Sequence, residues 1–319
     1  MIKVNFFKIF KLILAILSIY FLHKISKENY KDVIENIDLE IYWITLILFL
    51  RILLHNLLSF RMFTFLKLTS NYSSQFIDWS CLYFLTGLIN SSPLWGGGHV
   101  IRSHEMKQNS YSIKEYVSMH YFIFFWGILI NSLLMLLLLI VFKEQINIYL
   151  FLSLLILLAI SFISISTKII NLFAKLVQKF KSNTFFSKFK SLDYIANKIN
   201  NIIKISNNIL RLEVFVPFLI ITIFLFIFEY LILCLVFKYL FQVTDLSIVL
   251  MFFVLNYLIK KIPSLDGIIG LKESLLGLFA EFIGLLFIEG VIVTITIRLL
   301  NITSTFINYI IYFLLARSY

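Results

Sequence analysis

Apolar residues in this chain come in long unbroken runs, not at the 3.6-residue beat of a helix with one wet face. The runs cover residues 6–22, 41–65, 121–142, 148–165, 214–237, 246–258, 283–300 and 302–315, with a weaker piece at 76–90. About 18 or more apolar residues in a row read as a membrane-spanning helix. The pattern predicts an all-α fold, a polytopic transmembrane helical bundle of about 7–9 spans. Only residues 143–147 separate two of the runs, which predicts an antiparallel hairpin there. The run at 6–22 resembles a signal peptide in its charge order. Tyr20, Phe21, Leu22, His23 and Lys24 stand where cleavage needs small residues, so it is expected to stay as a first helix.

The polar gaps set the expected orientation. Segment 166–212 carries nine basic residues against one acid, Asp193, and is amphipathic. Lysine and arginine in short loops mark the cytoplasmic side. That segment and the N-terminus, with Lys3, Lys8 and Lys11, are therefore expected in the cytoplasm of a cell whose inner membrane holds the chain. The acidic stretch 23–40 and the turn 143–147 fall outside. The assignments agree with one another if both interrupted stretches described below return to the side they enter from. Segment 166–212 is a plain positive-inside loop or amphipathic helices lying on anionic lipid; it is too short for most independent domains. One transmembrane domain over 1–319 is expected, with halves at about 1–165 and 213–319.

Composition narrows the function. Hydrophobic residues make up 61% of the 319 and charged residues 14%, far from the roughly 25% charged of a soluble domain. The net charge of +11 sits between apolar runs, where it meets lipid headgroups, so no nucleic acid partner is expected. Cys81 and Cys234 lie in apolar stretches as small core residues. There is no phosphate loop, nucleophile elbow or paired-histidine metal motif, so no cofactor, no metal and no catalytic residue is expected.

Two stretches stand out. The first is Pro93-Leu-Trp-Gly96-Gly97-Gly98-His99-Val-Ile-Arg102, and the second runs from Pro263 through Gly267 and Gly270 to Lys272 and Glu273. Each has Pro, then Gly, then ionisable residues, then a helix. They lie about 170 residues apart, one per half, as in transporters built from an internal repeat. Pro and Gly break helical hydrogen bonding, and freed backbone at membrane depth is tolerated only in a protein interior or a wet cavity. The pattern predicts two re-entrant segments. The helix restarting after each break turns its positive end inward, where it attracts an anion, and Arg102 offers a bidentate contact to phosphate. Alternatively the breaks only kink helices for packing. Glu273 is the expected partner of Arg102 across the two stretches.

Glu229, Glu281, Glu289 and Arg298 also sit in apolar surroundings, at a cost of about 2.5–3.5 kcal/mol for such a charge at a helix centre. Glu289 and Arg298 are nine residues apart, about 900° around one helix, so they face opposite ways and any partner must come from another helix. Glu281 and Arg298 can also snorkel to the interface.

At these segments the chain resembles the transmembrane region of lysylphosphatidylglycerol synthases and its stand-alone flippase-like relatives. Gly98-His99-Val-Ile-Arg102 matches the family's first motif, G-E-x-x-R, with His99 in place of Glu. Pro263 through Gly270-Leu-Lys-Glu273 matches the second, with one glycine shifted to Gly267. Arg298 matches a late Arg, and the region of Arg51 and Arg61 looks like the family's second helix. The resemblance runs from about residue 6 to 315 and implies a bundle with re-entrant elements that binds or moves a lipid with a charged headgroup. The soluble aminoacyltransferase half is absent from this sequence, so transferase activity is not implied.

Three readings follow. One is a translocase or headgroup-binding transporter for a phospholipid or a polyprenyl-phosphate-linked glycan, with Glu281 or Glu289 as proton carriers if transport is ion-coupled. Another is a non-catalytic scaffold of an envelope assembly system. The third is a membrane-embedded transferase using Asp266 and Glu273, whose seven-residue spacing matches no known metal motif. The orientation is tested by fusions ending after Asn183. A fluorescent protein there is expected to glow and alkaline phosphatase to be inactive; the reverse result inverts the topology.

Overall fold

The computed structural model describes residues 41–69, 72–91, 97–108, 113–141, 148–165, 212–260 and 270–318. The run at 6–22, segment 166–211, Pro93, Pro263 and Gly267 lie outside these residues. Nine helices and no strand occur among the described residues. They are α1 (Ile41–Thr69), α2 (Phe76–Ser91), α3 (Gly97–Gln108), α4 (Ile113–Val141), α5 (Ile148–Ile165), α6 (Leu212–Phe241), α7 (Leu246–Lys260), α8 (Leu271–Phe282) and α9 (Phe287–Ser318). α1, α6, α9 and the part of α4 from Met119 are long and apolar enough to cross a membrane. The chain is a polytopic helical membrane protein.

The apolar pattern found the long helices and missed one continuity. The expected helices at 283–300 and 302–315 are a single helix, α9, of 32 residues. Asn301 interrupts the apolar run without interrupting the backbone, because its amide is spent sideways on another helix. α2, α3, α7 and α8, at 12–16 residues, reach only about 18–24 Å, short of the roughly 30 Å hydrocarbon core.

Contact registers give the relative directions. α1 and α6 are antiparallel: Trp43 stacks on Tyr239 at 3.6 Å, and Phe65 meets Phe218 at 6.2 Å. α2 runs against α1, with Ser59 Oγ 3.0 Å from Ser80 Oγ and Phe63 against Phe76. α2 also runs against α9, where Tyr312 meets Phe76 and Phe84 while Gly87 abuts Thr305. α1 and α9 are therefore parallel. α3 folds back along α2, and α8 pairs antiparallel with α9.

The α8–α9 turn is written in the sequence. Gly284 takes φ +84°, Leu285 N–H donates to Ala280 C=O at 3.0 Å and Gly284 N–H to Glu281 C=O at 3.2 Å, the two bonds of a Schellman ending. The helices then close tightly, because Gly277 and Gly290 face each other. A Cβ on Gly290 would lie 2.6 Å from Ala280 Cβ and 2.8 Å from the Leu276 carbonyl oxygen.

The interior holds two apolar clusters, one around Trp79, Leu66, Met106, Met119 and Phe122, the other around Phe237, Phe252, Val254, Leu276 and Val293. Leu137, Phe224 and Leu314 face outward, each more than half exposed. An apolar exterior over a packed interior is what lipid, not water, permits.

Gly290→Val is expected to lower unfolding stability in detergent by about 1–3 kcal/mol through overpacking at the α8–α9 crossing. Gly127→Ala, where an added Cβ meets nothing within 4 Å, is expected to leave it unchanged or slightly raised.

Candidate functional site

The first interrupted stretch delivers Arg102 into the protein interior. α3 lies so close to α2 that a Cβ on Gly98 would come within 2.1 Å of the Thr86 carbonyl oxygen. Only glycine fits there. Gly98 N–H, left unbonded by its position at the helix start, donates to Asn90 Oδ1 at 3.0 Å. One turn on, Arg102 is 4% exposed. Its Nε donates to Thr86 Oγ1 at 3.0 Å, and Nη2 donates to the Tyr83 carbonyl at 3.1 Å and to Thr86 Oγ1. The guanidinium lies 4.6 Å from the Tyr83 ring centre and 5.8 Å from that of Trp79. No carboxylate among the described residues pairs with it.

His99 sits beside this group, with Nδ1 3.3 Å from the Tyr116 hydroxyl and its ring 5.4 Å from that of His120.

The second stretch delivers an acid. Gly270, at φ +89°, starts α8, and its N–H donates to Glu273 Oε2 at 2.8 Å. The other oxygen, Oε1, lies 3.0 Å from Arg298 Nη1. Glu273 thus caps its own helix and ties α8 to α9, with its side chain 3% exposed. This corrects the expected pairing of Arg102 with Glu273: each is held by its hairpin neighbour, Arg102 by α2 and Glu273 by α9. Lys272 is buried next to it.

The remaining charges divide. Glu229 on α6 pairs with Lys260 at the end of α7, four turns from the start of α6. Glu289 is the third residue of α9 and accepts the Leu286 N–H at 2.8 Å, so it caps a helix end. Glu281 is exposed in the last turn of α8. Among the described residues no group of three His, Cys, Asp or Glu is placed to hold a metal ion.

A feature that the motifs did not signal joins these parts. Arg298, Asn301, Ser304, Thr305, Asn308 and Tyr312 form one stripe along α9, about 21 Å long. α1 answers with Arg51, His55, Asn56 and Ser59. Arg51 Nε donates to Asn301 Oδ1, and His55 Nδ1 lies 3.0 Å from Ser304 Oγ and 3.1 Å from Thr305 Oγ1. Asn56 Nδ2 donates to Asn308 Oδ1 at 2.7 Å, and the Tyr312 hydroxyl donates to Asn56 Oδ1 at 2.7 Å. The signal was available as polar residues every three to four positions in an apolar run. On α4, near the same depth, Trp126 Nε1, Asn131 Oδ1 and Ser132 Oγ are buried without a partner.

The sequence has a match among the protein families. Residues 8–307 match the family described as the lysylphosphatidylglycerol synthase TM region. The chain belongs to that family. Membership connects the protein to membrane lipid, and the match covers both interrupted stretches and the α1–α9 stripe as far as Thr305. No curated protein and no solved structure matches the chain.

Replacing Glu273 separates its two roles. Glu273→Gln keeps an acceptor for Gly270 N–H but removes the charge facing Arg298, and Glu273→Ala removes both. Breaking such a buried pair costs about 3–5 kcal/mol, and a lost cap about 1 kcal/mol more. Unfolding in mixed micelles is expected to rank the stabilities wild type, Glu273→Gln, Glu273→Ala; equal losses would remove the capping role.

Proposed function

We propose that the protein binds the phosphate-bearing headgroup of a membrane lipid inside its helical bundle and moves it between leaflets. The observation that carries this reading is Arg102, a guanidinium buried in a membrane protein with two neutral acceptors and, among the described residues, no carboxylate partner. A charge held in hydrocarbon without a counter-ion is expensive. A phosphate oxygen pair offers both the charge and the bidentate geometry.

The fold supports the reading. α2 with α3 is a hairpin of two helices too short to span, which we read as re-entrant. α7 and α8 flank a second break, with Glu273 and Lys260 at its two ends. Broken helices at membrane depth are where transporters bind substrate. The orphaned polar atoms on α4 fit a cavity lined for something other than protein.

In this reading the protein sits in the cytoplasmic membrane, with segment 166–212 on the cytoplasmic face, and carries out no bond-making chemistry. The sequence has no nucleotide-binding motif, so movement is downhill or ion-coupled. The substrate is a phospholipid or a polyprenyl-phosphate-linked glycan, which share the phosphate that Arg102 would hold.

Purified protein in liposomes is expected to flip fluorescent phosphatidylglycerol or a short-chain polyprenyl-phosphate sugar faster than protein-free liposomes, as read by dithionite quenching. Arg102→Ala should fall to the protein-free rate. An Arg102→Ala protein as fast as wild type would remove the site, and no movement of any lipid by wild type would remove translocation.

A further inference from the structure

Arg61, in the region that resembles the family's second helix, is a half-buried arginine whose Nε is out of contact with solvent. It projects from α1 into the shallow groove between α1 and α6, beside Phe65, Val214 and Phe218. Nη1 makes one long bond to Thr222 Oγ1, 3.3 Å. Thr222 already donates to the Phe218 carbonyl at 2.7 Å. The guanidinium carbon is 5.4 Å from the Phe218 ring centre, and Nε is buried with no acceptor. Among the described residues no carboxylate pairs with the charge. By contrast, Arg298 has Glu273 and Lys260 has Glu229.

Its depth matters as much as its partners. Arg102 bonds to Thr86, the adjacent Gly87 abuts Thr305, and Thr305 meets His55. That places Arg102 level with His55, the middle residue of α1. Arg61 lies six residues, about 9 Å, from that level. It is inside the hydrocarbon boundary, which is about 15 Å from the midplane. Because α1 and α6 are antiparallel, Thr222 is deeper than Phe218 relative to the near ends of both helices. The guanidinium points along or into the bilayer and does not snorkel outward. Tyr83 packs against the Arg102 guanidinium at 4.6 Å.

We infer that Arg61 is a second phosphate-binding group, taking the lipid phosphate from the leaflet at the Thr69 and Leu212 ends of α1 and α6 before it passes to Arg102 at the midplane. The inference rests on the headgroup-binding reading above and adds the place of entry. A phosphate at Arg61 supplies the missing counter-charge and an acceptor for Nε. A free phosphate ion has no reason to enter at that depth, so the occupant is a phosphodiester lipid.

The test is binding of dioleoylphosphatidylglycerol to the full-length protein in detergent, followed by native mass spectrometry, with a cationic diacyl lipid as control. Arg61→Gln is expected to weaken phosphatidylglycerol binding about tenfold and leave the control lipid unchanged. Arg61→Lys should recover most of the loss. Arg61→Met, which keeps an apolar stem and removes an uncompensated charge, should unfold at the same or higher temperature than wild type while binding phosphatidylglycerol poorly.

Wild-type affinity in Arg61→Gln overturns the inference. So does a less stable Arg61→Met protein that still binds, since that is the mark of a structural arginine. Displacement of the lipid by millimolar inorganic phosphate would overturn the lipid as occupant. The two readings fail separately. If Arg61→Gln loses binding but wild-type liposomes move no lipid, translocation falls and the site stands. If wild type moves lipid and Arg61→Gln moves it equally fast, the entry site falls and the Arg102 site stands.

Discussion

No water reaches the hydrocarbon core of a bilayer, so every polar group there must find its partner within the protein. α9 is where this constraint is concentrated. Its stripe from Arg298 to Tyr312 presents hydrogen-bonding groups over most of the bilayer's hydrocarbon thickness, and none of them can face lipid at low cost. Each docks a neighbouring helix instead. Arg298 fixes α8 through Glu273, the stretch from Asn301 to Asn308 fixes α1, and Tyr312 reaches both Asn56 and the α2 aromatics. The parallel course of α1 and α9 follows from this register. Apolar packing alone would tolerate a slip by a turn, whereas a slip here leaves an arginine, a histidine and two asparagines without partners.

Single interhelical hydrogen bonds in membranes average about 0.6 kcal/mol, so the stripe contributes more to specificity than to total stability. Charge is the larger quantity. The protein treats its buried cations in two ways. Arg298 and Lys260 are matched by carboxylates on another helix, and such pairs bring elements together at a fixed register. Arg51, Arg61 and Arg102 are held by neutral oxygens, the last two also by aromatic faces, which orient a guanidinium without neutralising it; Arg51 spends this on the α1–α9 register. Pairing serves the fold. Orientation without neutralisation leaves Arg61 and Arg102 with a field directed at whatever anion can enter, and both lie on the α1, α2, α3 and α6 side of the bundle.

Hydropathy made the long helices legible because a span needs only length and apolarity. It also marked the breaks, since Gly and Pro carry backbone meaning without tertiary context. Gly98 and Gly270 are where the structure needs a residue without a side chain, one for close approach to α2 and one for a left-handed start to α8. Partner choice was not legible. Arg102 and Glu273 invite pairing by charge and by position in the two halves, yet helical hairpins put Thr86 and Arg298 nearer. Asn301 looked like a boundary because polarity inside an apolar run has two causes, an end or a sideways contact, and one sequence does not separate them. Glu289 read as an intramembrane charge, while its place three residues past Leu286 is that of a cap. The α1–α9 stripe was visible only as a periodicity whose meaning required the partner helix.

Position 99 connects the family pattern to the chemistry. The resemblance puts a glutamate three residues before the arginine of the first motif, one helical turn away, where it could serve as a built-in counter-charge. Here that place belongs to His99, an imidazole with no negative charge in either protonation state, held against Tyr116. Removing an acid from beside a buried guanidinium does not change its shape or its bonds to Thr86 and Tyr83. It changes the net charge of the site by at least one unit, in a medium where such a unit is poorly screened. A site built around a Glu–Arg pair is close to neutral and can meet a headgroup that carries both signs. A site built around Arg102 and an imidazole is cationic and is best matched by a headgroup whose net charge is negative. On this argument the substitution at residue 99 shifts headgroup preference toward anionic lipid while the helical frame is left as it was.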